Sequence, residues 1–198
     1  ALLTRVNLPY QENIPVIGMI SRLVEQKGYK LLLDAMEDLI DQDFQLVILG
    51  TGDPELEKAL LKYEKKHSKK ISINTAFDET LAHMIEAGSD MFLMPSAFEP
   101  CGMNQLYSLK YGTLPVVFNT GGLADTITEV DFEENTGNGI VFEKFTGKEL
   151  VKAIKRGLRY YKKKETWAEL RIRLMSNDFS WEKPTEEYQE IYDTVLGE

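Results

Sequence analysis

The sequence predicts an α/β domain, Rossmann-like and three-layered, around a mostly parallel sheet of about six strands. Short apolar runs alternate with longer stretches of helical period, the pattern of βαβ units. The runs are apolar almost from end to end, which suits strands covered by helices on both faces. A length of 198 residues stands at the upper edge of a single domain and is enough to bury a sizeable core without disulfide or metal staples.

Pro15 to Ile20 reads as the first strand and Tyr29 to Ile40 as its helix, with Leu32, Leu33, Met36 and Ile40 on one stripe. Phe44 to Leu49 is the second strand. It runs through the turn Gly50-Thr51-Gly52-Asp53-Pro54 into a helix from Glu55 to about His67, whose stripe is Leu56, Leu60 and Tyr63. Ile71 to Thr75 forms the third strand, a helix covers about Glu79 to Ala87, and Met91 to Pro95 is the fourth strand. Cys101 to Tyr111 reads as a helix, Leu114 to Phe118 as the fifth strand and Gly139 to Phe142 as the sixth. Helices at Gly147 to Lys163, Trp167 to Asn177 and Pro184 to Leu196 close the chain. With no internal repeat, low-complexity tract or linker, residues 1–198 are expected to form one domain.

Composition narrows the function classes. A net charge of −9 repels nucleic-acid phosphates, so an anionic ligand needs a local positive pocket. The Lys-rich stretches Lys62 to Lys70 and Lys152 to Lys164 have the spacing of solvated helix faces. No apolar run approaches the roughly 20 residues of a bilayer crossing. Ala1 to Val6 has neither the charged region nor the apolar core of a signal peptide, and the missing initiator Met hints at a trimmed chain. A lone Cys101 fits a reducing cytoplasm, and with His67 and His83 it makes a poor metal-ligand set. Neither a metal nor another cofactor is expected.

In doubly wound sheets ligands bind beyond the carboxyl ends of the strands, so the loops leaving Ser21, Gly50, Thr75, Ser96 and Asn119 are the ones that matter. Ser21 to Gly28 places Arg22 and Lys27 five residues apart between a buried strand and its helix, a phosphate-receiving pattern. Both could equally be surface charges beside a turn glycine. In Pro95 to Gln105, Glu99 stands at a strand exit before Pro100 and Gly102, where free backbone N–H groups of a helix start suit an anion. Glu99 itself could address sugar hydroxyls or merely cap the helix. Gly121 and Gly122 permit close backbone approach, although paired glycines also mark ordinary turns, and Asp125 is expected in the first turn of the next helix.

Five motifs in order then carry a family resemblance over nearly the whole chain. Arg22-Leu-x-x-Gln26-Lys27-Gly28, Phe98-Glu99-Pro100-Cys101-Gly102, Leu109 to Pro115, Thr120 to Thr126 and Phe179-Ser180-Trp181 together resemble the bacterial glycogen synthases and plant starch synthases. The resemblance implies the C-terminal, donor-binding half of a two-domain GT-B glycosyltransferase. Such an enzyme is a hexosyltransferase that moves glucose from ADP-glucose or UDP-glucose to the non-reducing end of an α-1,4-glucan with retention. It works in the bacterial cytoplasm or the plant plastid stroma. The resemblance further implies that Arg22 and Lys27 neutralise the departing diphosphate in place of a metal and that Glu99 lies beside the donor glucose. Backbone at Gly102, Met103 and Asn104 would meet the phosphates, with Gly121 and Gly122 bordering the sugar. Phe77, a core aromatic on its residue type alone, falls where many members stack a Tyr on the nucleobase.

Tyr107 stands where the wider glycosyltransferase class has a second acid, as expected for the synthase branch. By the resemblance Cys101 counts with the nucleotide-sugar-binding residues of its motif; its side chain reads as a packing residue near the helix start, or less readily as a reactive thiol. By the same resemblance the last helix, residues 184–198, packs back on an absent N-terminal domain that carries the acceptor groove. The isolated domain would then bind nucleotide without transferring glucose. A nicotinamide dehydrogenase is disfavoured because no Gly-x-Gly-x-x-Gly follows the first strand. A binding module without turnover, or a related transferase with another acceptor, stands as the alternative.

Overall fold

The structure, a computed structural model, describes residues 1–197; Glu198, the last residue of the expected terminal stretch, lies outside them. Strands β1 (Val16–Ile20), β2 (Gln45–Leu49), β3 (Ile71–Asn74), β4 (Met91–Met94), β5 (Leu114–Phe118) and β6 (Ile140–Phe142) form one sheet in the order β3-β2-β1-β4-β5-β6. Every pairing is parallel, which tightens the expectation of a mostly parallel sheet. All of β2 and β4 is buried, as unbroken apolar runs require of central strands.

The helices are α1 (Leu2–Arg5), α2 (Tyr29–Leu39), α3 (Pro54–Lys66), α4 (Glu79–Gly88), α5 (Asn104–Lys110), α6 (Gly121–Thr126), α7 (Gly147–Tyr161), α8 (Lys164–Met175) and α9 (Glu182–Leu196). Helix α2 lies against α3 and α7, whereas α4 lies against α1 and α5, giving the two outer layers that crossovers of one hand require. The buried stripe of α2 is Tyr29, Leu32, Met36 and Leu39, while Leu33 and Ile40 are only half-buried. Asp53, Asp78 and Thr146 cap the starts of α3, α4 and α7 by accepting backbone N–H bonds two or three residues on.

Three departures from the sequence reading have physical causes. The helix expected from Cys101 starts at Asn104, because Gly102 sits at φ +74 and a left-handed residue cannot continue a right-handed helix. A helical turn at Glu25–Lys27, α1 and α6 are too short for periodicity to reveal. Since α6 begins at Gly121, Asp125 belongs to its end rather than its first turn. The Lys-rich faces are largely exposed as expected, except that Lys70 donates to the carbonyls of Ile40 and Gln42 and lies 4.6 Å from the Phe44 ring centroid.

Strand order places the site. From β1 the chain moves toward β3, and from β4 it moves toward β6, so the loops after β1 and β4 diverge and leave a crevice between them. Helix α9 has no buried side chain among those described. Its Tyr188, Ile191, Tyr192 and Val195, spaced as one helical stripe, all face solvent.

Candidate functional site

Each wall of the crevice is set by backbone contacts that its sequence permits. After β1, Leu23 donates to Thr51 O at 2.9 Å and accepts from Asp53 N at 2.7 Å, which buries Leu23 and leaves Arg22 exposed at the mouth. The chain then turns through Gly28 at φ +79, where a Cβ would stand 1.9 Å from Pro95 O. Only glycine lets the β1 loop press this closely on the end of β4. Ala97 N donates to Gln26 O at 2.8 Å and Gln26 Nε2 to Phe98 O at 3.0 Å, lacing the two loops together.

That lacing brings together side chains 72 residues apart in sequence: Lys27 Nζ meets Glu99 Oε2 at 2.5 Å. The pair is mostly shielded, with side-chain exposures of 19% and 11%. Buried Ser96 donates its hydroxyl to the same oxygen at 3.1 Å. Behind Ser21, the Tyr29 phenol lies 2.9 Å from the serine Oγ, and burial pushes its pKa up, so it stays a neutral hydroxyl.

Two cavities open here and share Ile20, Ser21 and Arg22. One, of about 220 Å³, is lined by Lys27, Ser96, Glu99, Gly102, Met103 and Asn104. The other, of about 410 Å³, is lined by Gly50, Thr51, Phe77, Asp78 and Glu79. Arg22 therefore stands on the ridge between a charged pocket and a largely apolar one.

The sequence-derived candidates fall out unevenly around this arrangement. Arg22, Lys27 and Glu99 converge as expected, and Gly102, Met103 and Asn104 line the charged cavity. The N–H groups of Gly102 and Met103 have no partner among the described residues, and Asn104 Nδ2 donates to Ile20 O at 3.2 Å, tying the start of α5 to β1. Phe77 is 97% exposed, so the core role its residue type suggests is corrected. Gly121 and Gly122 do not line the cavity. A Cβ on either would stand 2.2 Å from the carbonyl of Glu99 or Cys101, and Gly122 N donates to Glu99 O, so they let α6 support the Glu99 loop from behind. Cys101 is exposed and absent from the cavity wall, which corrects its reading as a packed side chain.

Sequence reasoning missed Ser96 as a partner of Glu99 and Gln26 as the strap between loops. Ser96 had a signal, since it leaves a buried strand at the switch point; Gln26 had none beyond its motif position. Among the described residues no cluster of three or more His, Cys, Asp or Glu gathers as a metal site, and no helix is long and apolar enough to cross a membrane.

The profile of the family described as "Glycosyl transferases group 1" matches residues 4–171. A glycogen synthase from Lactobacillus acidophilus is 45% identical over 197 residues, covering 100% of this chain and 41% of that protein. One from Thermosipho melanesiensis is 46% identical over 193 residues, covering 97% and 40%. The catalytic domain of starch synthase IV from Arabidopsis thaliana, bound to ADP and acarbose, superposes with a TM-score of 0.88 at 32% identity, covering 100% of this chain and 42% of that one. A sucrose-phosphate synthase from Thermosynechococcus elongatus shares the fold, with a TM-score of 0.71 at 20% identity, covering 99% of this chain and 48% of that one. The chain thus spans about two fifths of the length of the curated relatives it matches.

Proposed function

The chain belongs to the group 1 glycosyl transferases, and from that membership we propose that it is the donor-binding half of a glycogen or starch synthase. In this reading the whole enzyme transfers glucose from ADP-glucose, or UDP-glucose, to the non-reducing end of an α-1,4-glucan with retention. One observation carries it: at the switch point of the sheet, Arg22 and Lys27 of the β1 loop line a single cavity with Glu99 of the β4 loop, to which Lys27 is paired. The relatives named glycogen synthase and the starch synthase with ADP bound support the choice of donor.

The cavities divide the donor. The base stacks on the exposed ring of Phe77, and the diphosphate lies across Arg22 toward Lys27 and the free N–H groups of Gly102 and Met103. The glucose reaches Glu99. When the anomeric bond breaks, negative charge develops on the diphosphate, and fixed donors aimed at it lower the barrier most. Arg22 and Lys27 supply them, and Glu99 orients the sugar through its hydroxyls rather than attacking it. Leaving and entering oxygens on one face of the sugar account for retention without a nucleophilic carboxylate.

The stripe Tyr188, Ile191, Tyr192 and Val195 on α9 is the surface that packs against an N-terminal domain holding the glucan. Without that domain, this chain binds the nucleotide sugar and does not elongate glucan. The compartment that fits is the bacterial cytoplasm or the plastid stroma. Calorimetric titration with ADP, UDP and their glucose conjugates tests the reading. Saturable binding that needs Arg22 is expected, and no binding of any of the four, or elongation of glycogen by this chain alone, contradicts it.

A further inference from the structure

The two cations of the site are not equivalent. Arg22 is exposed and its guanidinium has no hydrogen-bond or ion-pair partner among the described residues, whereas Lys27 is held by Glu99 at 2.5 Å. The Ser96 hydroxyl shares the same carboxylate oxygen. An incoming diphosphate therefore meets one free positive charge and one already neutralised.

Drawing Lys27 toward a phosphate weakens its hold on a carboxylate that is 11% exposed, and a shielded charge left short of partners is costly. A bare nucleoside diphosphate leaves Glu99 with little besides Ser96, and its negative charge then opposes the phosphates. A nucleotide bearing glucose brings hydroxyl donors that Glu99 accepts as Lys27 turns away. Sugar and phosphate occupancy are thereby linked through one ion pair, and linkage of this kind is reciprocal.

We infer that Glu99, by holding Lys27 until a sugar takes its place, makes the site discriminate the glucosylated donor from the spent nucleotide. The inference rests on the donor-binding reading above and adds a specificity to it: the ion pair weakens product binding and so favours release of the nucleoside diphosphate after transfer. No residue outside the crevice is needed, because the competing groups already lie within one cavity.

The experiment is a calorimetric comparison of ADP with ADP-glucose on this chain and on Glu99→Gln, Glu99→Met and Glu99→Asp. Removing the charge in Glu99→Gln or Glu99→Met is expected to tighten ADP roughly three- to tenfold, the effect of a partly screened unit charge within about 6 Å. ADP-glucose binding is expected to stay level or weaken, so the preference for the donor shrinks. Glu99→Asp keeps the charge and is expected to keep the wild-type preference within about twofold, which separates charge from packing. Equal shifts for both nucleotides in Glu99→Gln and Glu99→Met, or tightening of ADP by Glu99→Asp as well, would overturn the inference while leaving Arg22-dependent binding intact. Absence of binding by the unaltered chain would overturn the donor-binding reading instead, and this inference with it.

Discussion

The two pockets that meet at Arg22 are built to different tolerances. The charged one is fixed by backbone against backbone: Gly28 on Pro95, Gly122 on Cys101, Gln26 lacing one loop to the other. The apolar one shares such a backbone wall at its inner side, where a Cβ on Gly50 would stand 1.9 Å from Ser21 O, but its outer side is side chain alone, with Phe77 almost fully in solvent and an exposed Arg5–Asp78 pair at 2.9 Å beside it. Groups that meet developing charge need fixed positions, whereas a stacking ring serves over a range of positions. Substitutions in the backbone-packed walls should therefore damage folding, whereas those at the exposed Arg22 and Phe77 should change only affinity.

The largest effect is expected for Gly28→Ala. Its φ of +79 and a Cβ 1.9 Å from a backbone oxygen force the β4 exit to move, at a cost of about 3 kcal/mol or more. Gly197 has a similar φ of +74 with nothing within 4 Å, so Gly197→Ala should cost only about 1–2 kcal/mol. Urea denaturation of both variants checks the contrast, and equal losses would break it. Next in size, Arg22→Ala should weaken nucleotide binding roughly 30-fold by removing charge-assisted hydrogen bonds, with stability unchanged because the side chain is exposed. Phe77→Ala should weaken it about tenfold through lost stacking. Because Phe77 buries almost nothing, its melting temperature should not move. A Phe77→Ala variant that unfolds early would erase the difference between the pockets.

The same division explains what the sequence disclosed. Apolar runs announced the six strands, Leu114–Phe118 to the residue and the other five to within one residue at one end, because burial on both faces leaves few polar positions. Glu99, Arg22 and Lys27 were legible as charges at strand exits. Their pairing was not, since Lys27 and Glu99 meet only through loop contacts between residues far apart in sequence. For Phe77, residue type alone points to the core because phenylalanine usually lies inside, and only the family resemblance suggested a surface role; its exposure depends on a loop path that no local pattern encodes. The start of α5 was misplaced by three residues because a glycine permits, without requiring, the left-handed turn seen at Gly102.

The smallest expected effect lies away from both pockets, at buried Glu86 on α4. Burial pushes its pKa up, partly offset by His83, whose Nδ1 is 3.5 Å away. The folded protein thus holds this proton more tightly than the unfolded chain does. The associated stability is full below the ordinary value of 4.5 and is lost as pH rises through the elevated folded value. Glu86→Gln should therefore melt about 2 °C higher than the unaltered chain near neutral pH, with the advantage fading toward pH 4. Nucleotide binding by the same variant should be unchanged, and any loss of it would mean that the pockets are less independent of α4 than their walls suggest.

Whether the switch-point crevice holds the donor can be seen in a crystal structure of this chain with ADP-glucose. The expected result is the base on Phe77, the diphosphate between Arg22 and Lys27, and a glucose hydroxyl on Glu99 in place of the lysine. A nucleotide bound on another face would rule out the crevice as the donor site, and one in the crevice with the Lys27–Glu99 pair undisturbed and the sugar turned away from it would rule out the exchange at Glu99.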